Sequence, residues 1–287
     1  MALLRSIGTT LEMIKWEHSI FALPFALTGA MLAAHGWPHP LQLLWIVVCM
    51  ITARSAAMAF NRWADADLDA INPRTAGRAI PAGLLTRGFV GAFAAIMAAL
   101  FVLSAAQLNK LTLWLSPVAL AILLFYSYTK RFTRWSHLFL GLSLGIAPAA
   151  AWIAIRGTLD PRILVLTAVV LFWVAGFDVL YACQDAGHDR VNHLHSVPAA
   201  IGISGAFWMA RTMHAVMLAL LLWLVKLFSL GPIALAGIAV VAGLLLYEHL
   251  IVSPKDLRRL NAAFFTMNGV ISIVFFIFVA TDILFRR

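Results

Sequence analysis

Apolar stretches of about 20 residues dominate this chain of 287 residues and constrain its fold more than any other feature. An α-helix of about 20 residues spans the roughly 30 Å hydrocarbon core of a bilayer. Charged residues make up only 11% of the chain, against about 25% in a typical soluble domain. The sequence therefore predicts an all-α fold, a polytopic membrane helical bundle formed by residues 1–287 as one domain. The nine predicted spans are Ser19–His35, Leu41–Phe60, Gly88–Gln107, Leu111–Tyr128, His137–Ile155, Ile163–Ala182, Ile203–Phe228, Pro232–Ile251 and Ala262–Phe285.

The distribution of lysine and arginine predicts the orientation of the bundle. With nine spans, 15 of the 21 basic residues fall on the side that carries the N-terminus, and six fall on the other side. The richer side should face the cytoplasm, which predicts a multi-pass protein of a bacterial-type cytoplasmic (inner) membrane. The net charge of +9 then reflects topology and contact with the lipid bilayer, and we expect no nucleic-acid partner.

Two acidic motifs end the second and sixth predicted spans, and both open on the cytoplasmic side. They contain six of the 12 acidic residues of the chain. Their aligned members are Asn61, Asp65 and Asp69 in the first motif and Asp178, Tyr181, Asp185 and Asp189 in the second. On a continuous helix, residues four positions apart lie within about 40° of each other, so each motif places its carboxylates on one face.

Facing rows of carboxylates repel each other unless a positive charge lies between them. Mg²⁺ takes oxygen ligands and is usually held by one or two carboxylates together with substrate phosphates. The two motifs therefore predict a site for Mg²⁺ and a diphosphate substrate. The alternative is a pair of solvated helix ends whose acids balance nearby arginines. That alternative explains Asp178 poorly. Asp178 lies roughly 10 Å deeper than Asp185, where an acid is costly and usually faces a cavity or a partner.

Basic residues follow the first motif and the fourth span. Arg74 and Arg78 lie in the loop after Asp69, and Lys130 and Arg131 end the fourth span. Such side chains can neutralise a diphosphate leaving group. The general excess of basic residues on a cytoplasmic face is the alternative explanation.

Arg54 lies inside the second span, seven residues before Asn61 and on the same helical face. An arginine within a span points to the interior or extends toward the interface. It could bind the carboxylate of an aromatic acceptor, or it could form an internal ion pair with Asp65 or Asp178. The sequence leaves both possibilities open.

Other classes of membrane protein fit the pattern less well. A secondary transporter remains the alternative of another class, but its site should lie near the midplane on broken helices. Here the acidic residues cluster at one membrane face. A phosphatidyl-type transferase also uses carboxylates in a membrane, but its Asp-Gly-x-x-Ala-Arg pattern is absent from the sequence.

The combined motifs resemble those of the UbiA family of intramembrane prenyltransferases. The resemblance rests on Asn61-x3-Asp65-x3-Asp69 paired with Asp178-x2-Tyr181-Ala182-x2-Asp185-x3-Asp189. It extends to Arg74-Thr-Ala-x-Arg78-x-x-Pro81-x-Gly83, to Tyr126-x3-Lys130-Arg131 and to Leu140-Gly-x-x-x-Gly-x-x-Pro148. One departure is Arg62, which stands where many members have an aspartate.

The resemblance implies nine helices around a cavity that opens to the cytoplasmic side, and Mg²⁺ that activates a polyprenyl diphosphate. It implies metal ligation by Asn61, Asp65, Asp69, Asp185 and Asp189. It implies catalytic roles for Asp178, Tyr181, Lys130 and Arg78, and substrate binding by Arg54, Arg74 and Arg131.

The resemblance also indicates the acceptor. The segments from Lys15 to Phe25 and from Arg54 to Arg62 are similar to those of members that act on quinone precursors. They imply transfer of a polyprenyl group to a ring carbon of an aromatic acid, 4-hydroxybenzoate in a ubiquinone-type pathway. The alternative acceptor is a dihydroxynaphthoate in menaquinone biosynthesis.

Overall fold

A computed structural model describes residues 2–15, 21–257, 260 and 266–286. Within these ranges the regular structure is helical and includes no β-strand. The helices are α1 (Ala2–Ile14), α2 (Leu23–Ala34), α3 (Pro40–Ala64), α4 (Ala66–Ile71), α5 (Arg87–Ala106), α6 (Lys110–Thr129), α7 (Ser136–Arg156), α8 (Ile163–Ala182), α9 (Ala186–Val191), α10 (Val197–Leu227), α11 (Pro232–Ile251) and α12 (Asn268–Phe285). A short 3₁₀ turn, Cys183–Asp185, joins α8 to α9.

Eight helices in the described part of the chain are long and apolar enough to cross a membrane. They are α3, α5, α6, α7, α8 with its continuation to Val191, α10, α11 and α12. The prediction of an all-α, multi-pass membrane bundle is therefore confirmed. Of the first predicted span, Ser19–His35, residues 19 and 20 lie outside the described residues, and the 12 residues of α2 cover only about 18 Å. The count of nine spans stays a prediction.

Each acidic motif lies at a break between a long helix and a short one. The first break is at Asp65, between α3 and α4, with φ −96° and ψ 6°. The second is at Asp185, before α9, with φ −100° and ψ 0°. The expectation that each motif lies on one continuous helix is therefore wrong. Both aspartates therefore have the same sparsely populated backbone conformation, and each separates a long helix from a short one.

Helix α8 forms the centre of the bundle and packs against α7 and α10. Its Trp173 is fully buried, and the ring centroids of Trp173 and Phe25 are 5.0 Å apart. Phe25 of α2 in turn stacks on Phe275 of α12, again with a centroid distance of 5.0 Å. These aromatic contacts hold α2, α8 and α12 together in a core that lies beside the candidate site.

Two glycines of α7 allow it to approach α8 closely. A Cβ added to Gly141 would lie 2.3 Å from the carbonyl oxygen of Leu171, and one added to Gly145 would lie 2.8 Å from that of Thr167. No side chain fits at either distance, so these glycines serve close helix packing. The tight α7–α8 contact fixes the position of the second acidic motif relative to α7.

The positive-inside distribution and the shared end of both motifs generate a topology prediction. In a background with Cys49 and Cys183 replaced by alanine, Gly77→Cys and Gly187→Cys should both react with an impermeant maleimide from the cytoplasmic side. Both glycines have open space around them. Thr158→Cys, in the exposed loop between α7 and α8, should react from the opposite side. Labelling of positions 77 and 187 from opposite sides would contradict a shared site.

Candidate active site

A cavity of about 920 Å³ extends through one half of the bundle, between α3, α6, α7 and α8. At one end its wall includes Leu108 and Leu159, which lie near the ends of α5 and α7 on the side away from the acidic motifs. Its middle is apolar, with Ile122 and Leu144 on the wall. At the other end it reaches the acidic motifs. The cavity is therefore an apolar chamber with a polar mouth, which suits a ligand that has a charged head and a long hydrocarbon tail.

Six of the residues predicted for the site lie on the wall of this cavity: Arg54, Asn61, Arg74, Arg78, Asp178 and Tyr181. Four of the remaining predicted residues form ion pairs at the mouth: Asp65, Asp69, Arg131 and Asp185. The other two, Lys130 and Asp189, interact electrostatically with each other there. The structure therefore brings the two motifs and the basic loop together, although the two motifs are more than 100 positions apart in the sequence.

Three arginines neutralise three carboxylates of the motifs. Arg74 donates from Nε to Oδ1 of Asp185 at 2.7 Å and from Nη2 to Oδ2 of the same residue. The Nη1 atom of Arg78 lies 2.6 Å from Oδ1 of Asp69.

The third pair lies at the end of α6, where Nη2 of Arg131 lies 3.0 Å from Oδ1 of Asp65. The same nitrogen also donates to the carbonyl oxygen of Ala64 at 2.7 Å. The guanidinium of Arg131 lies over the ring of Tyr128, 4.9 Å from its centroid. This arginine therefore attaches the end of α6 to the break between α3 and α4.

The Arg74–Asp185 pair connects the two motifs, because Arg74 follows the first motif and Asp185 belongs to the second. Burial lowers the pKa of the Arg74 guanidinium, but the hydrogen bonds and the charge of Asp185 outweigh it and raise this pKa overall. The guanidinium of Arg74 therefore keeps its positive charge beside Asp185. Asn72 adds a second link, since its Nδ2 donates to Oδ1 of Asp185 at 3.3 Å.

The remaining carboxylate oxygens fit an ion with oxygen ligands. Oδ2 of Asp69 and Oδ1 of Asp189 are buried and have no hydrogen-bond partner. Asn61 donates from Nδ2 to Oδ2 of Asp65 at 3.0 Å, and its Oδ1 accepts from Nη1 of Arg62 at 3.0 Å. Among the described residues, no three acidic, histidine or cysteine side chains converge as a ready metal cage. A donor set of this kind suits Mg²⁺ when substrate phosphates supply the missing ligands.

Lys130 caps the C-terminal end of α6, and its carbonyl oxygen accepts from the backbone N–H of His195 at 2.7 Å. Its ammonium is coupled electrostatically to both Asp185 and Asp189. Lys130 therefore provides positive charge at the second motif, as Arg131 does at the first.

Arg54 lies on the cavity wall below the first motif, and its Nη2 donates to the carbonyl oxygen of Lys15 at 3.3 Å. The two acids considered as its partners have other contacts. Asp65 pairs with Arg131, and Asp178 pairs with His137. The structure therefore places Arg54 on the cavity wall, and its binding of an acceptor stays a prediction.

Asp178 contacts a residue that the sequence did not single out. Nδ1 of His137 lies 2.7 Å from Oδ2 of Asp178. His137 is 41 positions earlier in the chain, and no motif connects the two residues.

Asn72 is a second site residue that the sequence analysis missed, although the Asn-Pro dipeptide that it forms with Pro73 predicts a turn directly after the first motif.

Comparison with known proteins identifies the family. The sequence profile of the UbiA prenyltransferase family matches residues 22–270. The chain belongs to this family. The resemblance inferred from the motifs is thereby confirmed, and with it the enzyme class, a prenyltransferase. The UbiA profile covers all of the residues assigned to the site.

Relatives of known name and structure agree with this assignment. The chain is 32% identical over 249 residues to a 4-hydroxybenzoate octaprenyltransferase of Cupriavidus necator. The aligned region covers 86% of each protein. It is 33% identical to an apo UbiA homologue from Aeropyrum pernix, with a TM-score of 0.85 over 93% of this chain and 98% of that one. A UbiA homologue from Archaeoglobus fulgidus bound to DMAPP and Mg²⁺ shares the fold, with a TM-score of 0.74, 17% identity, and coverage of 96% and 99%.

The Arg74–Asp185 pair should contribute to the stability of the ligand-free UbiA fold. Arg74→Gln leaves a carboxylate that is only 13% exposed without its bidentate partner. We expect the free energy of unfolding to fall by about 1–3 kcal/mol, measured by equilibrium unfolding in detergent. The matched control is Arg162→Gln, which removes a pair with Asp160 in the loop between α7 and α8 and should change the stability by less than about 0.5 kcal/mol. Equal effects of the two substitutions would contradict a special role for the pair.

Proposed function

We propose that this protein transfers a polyprenyl group from polyprenyl diphosphate to a ring carbon of 4-hydroxybenzoate, in a Mg²⁺-dependent reaction of a ubiquinone-type pathway. The observation that carries the proposal is the Arg74–Asp185 contact, which joins two acidic motifs at the mouth of a long apolar cavity. The names of its relatives supply the acceptor, since these are 4-hydroxybenzoate octaprenyltransferases.

The residues that would hold the metal are those at the two breaks. They are Asn61, Asp65, Asp69, Asp185 and Asp189. The two buried carboxylate oxygens that have no partner, on Asp69 and Asp189, are available to such an ion. When bound, Mg²⁺ supplies Lewis-acid stabilisation of the departing diphosphate oxygens. The homologue from Archaeoglobus fulgidus that is bound to DMAPP and Mg²⁺ supports this assignment.

The arginines at the mouth have two sets of partners in this mechanism. In the ligand-free protein Arg74, Arg78 and Arg131 neutralise the carboxylates. A diphosphate carries more negative charge than a carboxylate, and its oxygens match the geometry of the same guanidinium groups. Arrival of the substrate therefore draws the arginines to phosphate and frees the carboxylates, while Lys130 contributes further positive charge.

The cavity provides the environment for the transfer. Its apolar wall holds the polyprenyl tail and keeps water from the allylic carbon. Arg54 binds the carboxylate of the aromatic acid from α3, and Asp178 and Tyr181 face the ring from α8. The allylic C–O bond breaks with its electron pair on the diphosphate. The ring carbon next to the hydroxyl then forms the new C–C bond and loses its proton.

The site opens on the cytoplasmic side of the inner membrane in this proposal. The bias of basic residues, 15 against six, supports the orientation. Both acidic motifs and the basic loop lie at one end of the bundle, so the diphosphate enters from water and the tail from lipid.

Activity tests the proposal directly. Membranes that contain the protein should convert labelled polyprenyl diphosphate and 4-hydroxybenzoate into prenylated product, and this should require Mg²⁺. Asp65→Ala and Asp185→Ala should each reduce the rate by at least about a hundredfold, since each removes a ligand of the metal–diphosphate complex. The matched control is Asp67→Asn, because the Asp67 side chain is 83% exposed and pairs with Arg87 outside the site.

Three results would contradict the proposal. The first is full turnover in excess chelator. The second is equal loss of activity in the Asp67 control. The third is product formation from a dihydroxynaphthoate but not from 4-hydroxybenzoate, which would reassign the acceptor to the menaquinone type.

Arg54→Lys tests the binding of the acceptor carboxylate. Lysine keeps the charge but lacks the bidentate fork of arginine. We expect the KM for the aromatic acid to rise by about tenfold, while the KM for polyprenyl diphosphate stays unchanged. Steady-state kinetics with each substrate varied separately give the answer. A change confined to the diphosphate KM would assign Arg54 to the mouth of the cavity instead.

A further inference from the structure

We propose that His137 is a positioning residue, whose imidazole holds the Asp178 carboxylate at the cavity wall to accept the proton that the aromatic ring loses. This inference rests on the proposed prenyl transfer. It assigns a role to a buried histidine that neither acidic motif includes.

The geometry of the pair is that of a strong hydrogen bond. His137 lies in the first turn of α7, and Asp178 lies in the C-terminal part of α8. Nδ1 of His137 is 2.7 Å from Oδ2 of Asp178, and the two side chains are 4% and 16% exposed. This distance is in the range of hydrogen bonds to an ionised group. Of the two side chains, only that of Asp178 reaches the wall of the cavity.

The backbone of a third helix determines which ring nitrogen carries the proton. Val197 is the first residue of α10, and its N–H has no partner within that helix. This N–H donates to Nε2 of His137 at 3.3 Å. Nε2 therefore uses its lone pair, and the proton of the neutral imidazole lies on Nδ1 and points to Asp178. The orientation of the carboxylate is thus fixed by α7, α8 and α10 together.

A purely structural role explains this arrangement poorly. A buried histidine that is paired with a carboxylate only 16% exposed is costly within a membrane bundle, and apolar side chains would join α7 to α8 at lower cost. Asp178 faces the same cavity as Tyr126, Tyr181 and Arg54. In the proposed reaction this part of the cavity holds the aromatic acceptor, which is where a base is needed.

The proton transfer follows formation of the C–C bond. The allylic C–O bond has then broken, and its electron pair has left with the diphosphate. The C–H bond at the substituted ring carbon returns its electron pair to the ring, and the proton passes to the carboxylate of Asp178. His137 keeps its own proton and does not contact the substrate. It maintains the carboxylate in the orientation that the ring requires.

Two substitutions separate the two hydrogen bonds of His137. The amide nitrogen of asparagine is attached to Cγ, as Nδ1 is, so His137→Asn can still donate to Asp178. The amide of glutamine is attached to Cδ, at the level of Nε2, so His137→Gln can still accept from Val197. His39→Asn is the matched control, because His39 is exposed and caps α3 on the opposite side of the membrane.

The experiment measures ring prenylation and, without an acceptor, the slower release of diphosphate to water. We expect His137→Gln to lower kcat for ring prenylation by about ten- to hundredfold, and His137→Asn to stay within about threefold of the unmodified protein. The KM for polyprenyl diphosphate and the release of diphosphate without acceptor should not change. The double variant Asp178→Asn/His137→Gln should be no slower than Asp178→Asn alone, because His137 acts only through Asp178.

Several results would overturn the inference. The first is that His137→Gln keeps its activity while His137→Asn loses it. The second is that the double variant loses activity additively. The third is that the release of diphosphate without acceptor falls by the same factor as ring prenylation. Each would make His137 a support for α10 or for the whole fold. If the unmodified protein prenylates no aromatic acid, the proposed function fails and this role of His137 fails with it. If only the His137 variants behave otherwise than expected, the proposed function stands.

Discussion

The pairing of carboxylates with arginines at one end of the bundle is the interaction on which the rest of the site depends. Asp65, Asp69 and Asp185 would repel one another in a medium of low polarity without nearby positive charge. Arg74 and Arg78 supply that charge from the loop after α4. The loop therefore closes across the mouth of the cavity and holds the second motif against the first. The same charges that stabilise the ligand-free fold are those that a diphosphate can attract.

The bundle below the mouth determines where chemistry can occur. Gly141 and Gly145 bring α7 against α8, so the first turn of α7 lies beside Asp178. On the other side of α8, contacts between Trp173 and Phe25 fill the core and leave the cavity on the side of α3 and α6. Close packing on one side and an open chamber on the other therefore place the carboxylate of Asp178 at the edge of the space for the substrate.

Much of this architecture could be predicted from the sequence, because its signals are local. Runs of apolar residues fix the helices, and the spacing of Asn61, Asp65 and Asp69 fixes the motif. The prediction that Arg74 and Arg78 act near these acids rested on proximity in the sequence, and the structure places them there. The breaks at Asp65 and Asp185 could not be predicted, since an i,i+4 pattern is the same for a straight helix and for one that bends. The His137–Asp178 pair depends on the packing of α7 on α8, a long-range contact that no spacing in one sequence reports.

The central claim is that the two motifs form one site in which the substrate releases carboxylates from arginines. The effect of a bound diphosphate on the affinity for the metal ion tests this claim. Mn²⁺ can serve as a paramagnetic probe for the Mg²⁺ site, with a prenyl thiodiphosphate that does not react. Titration of the purified protein, followed by electron paramagnetic resonance, gives the Mn²⁺ affinity with and without this analogue. The account predicts that the analogue tightens Mn²⁺ binding to the protein by at least about tenfold, beyond what the analogue binds alone, and that Asp65→Ala or Asp185→Ala abolishes this coupling. Equal Mn²⁺ affinity with and without the analogue, or coupling that survives in one of the two variants, would contradict it.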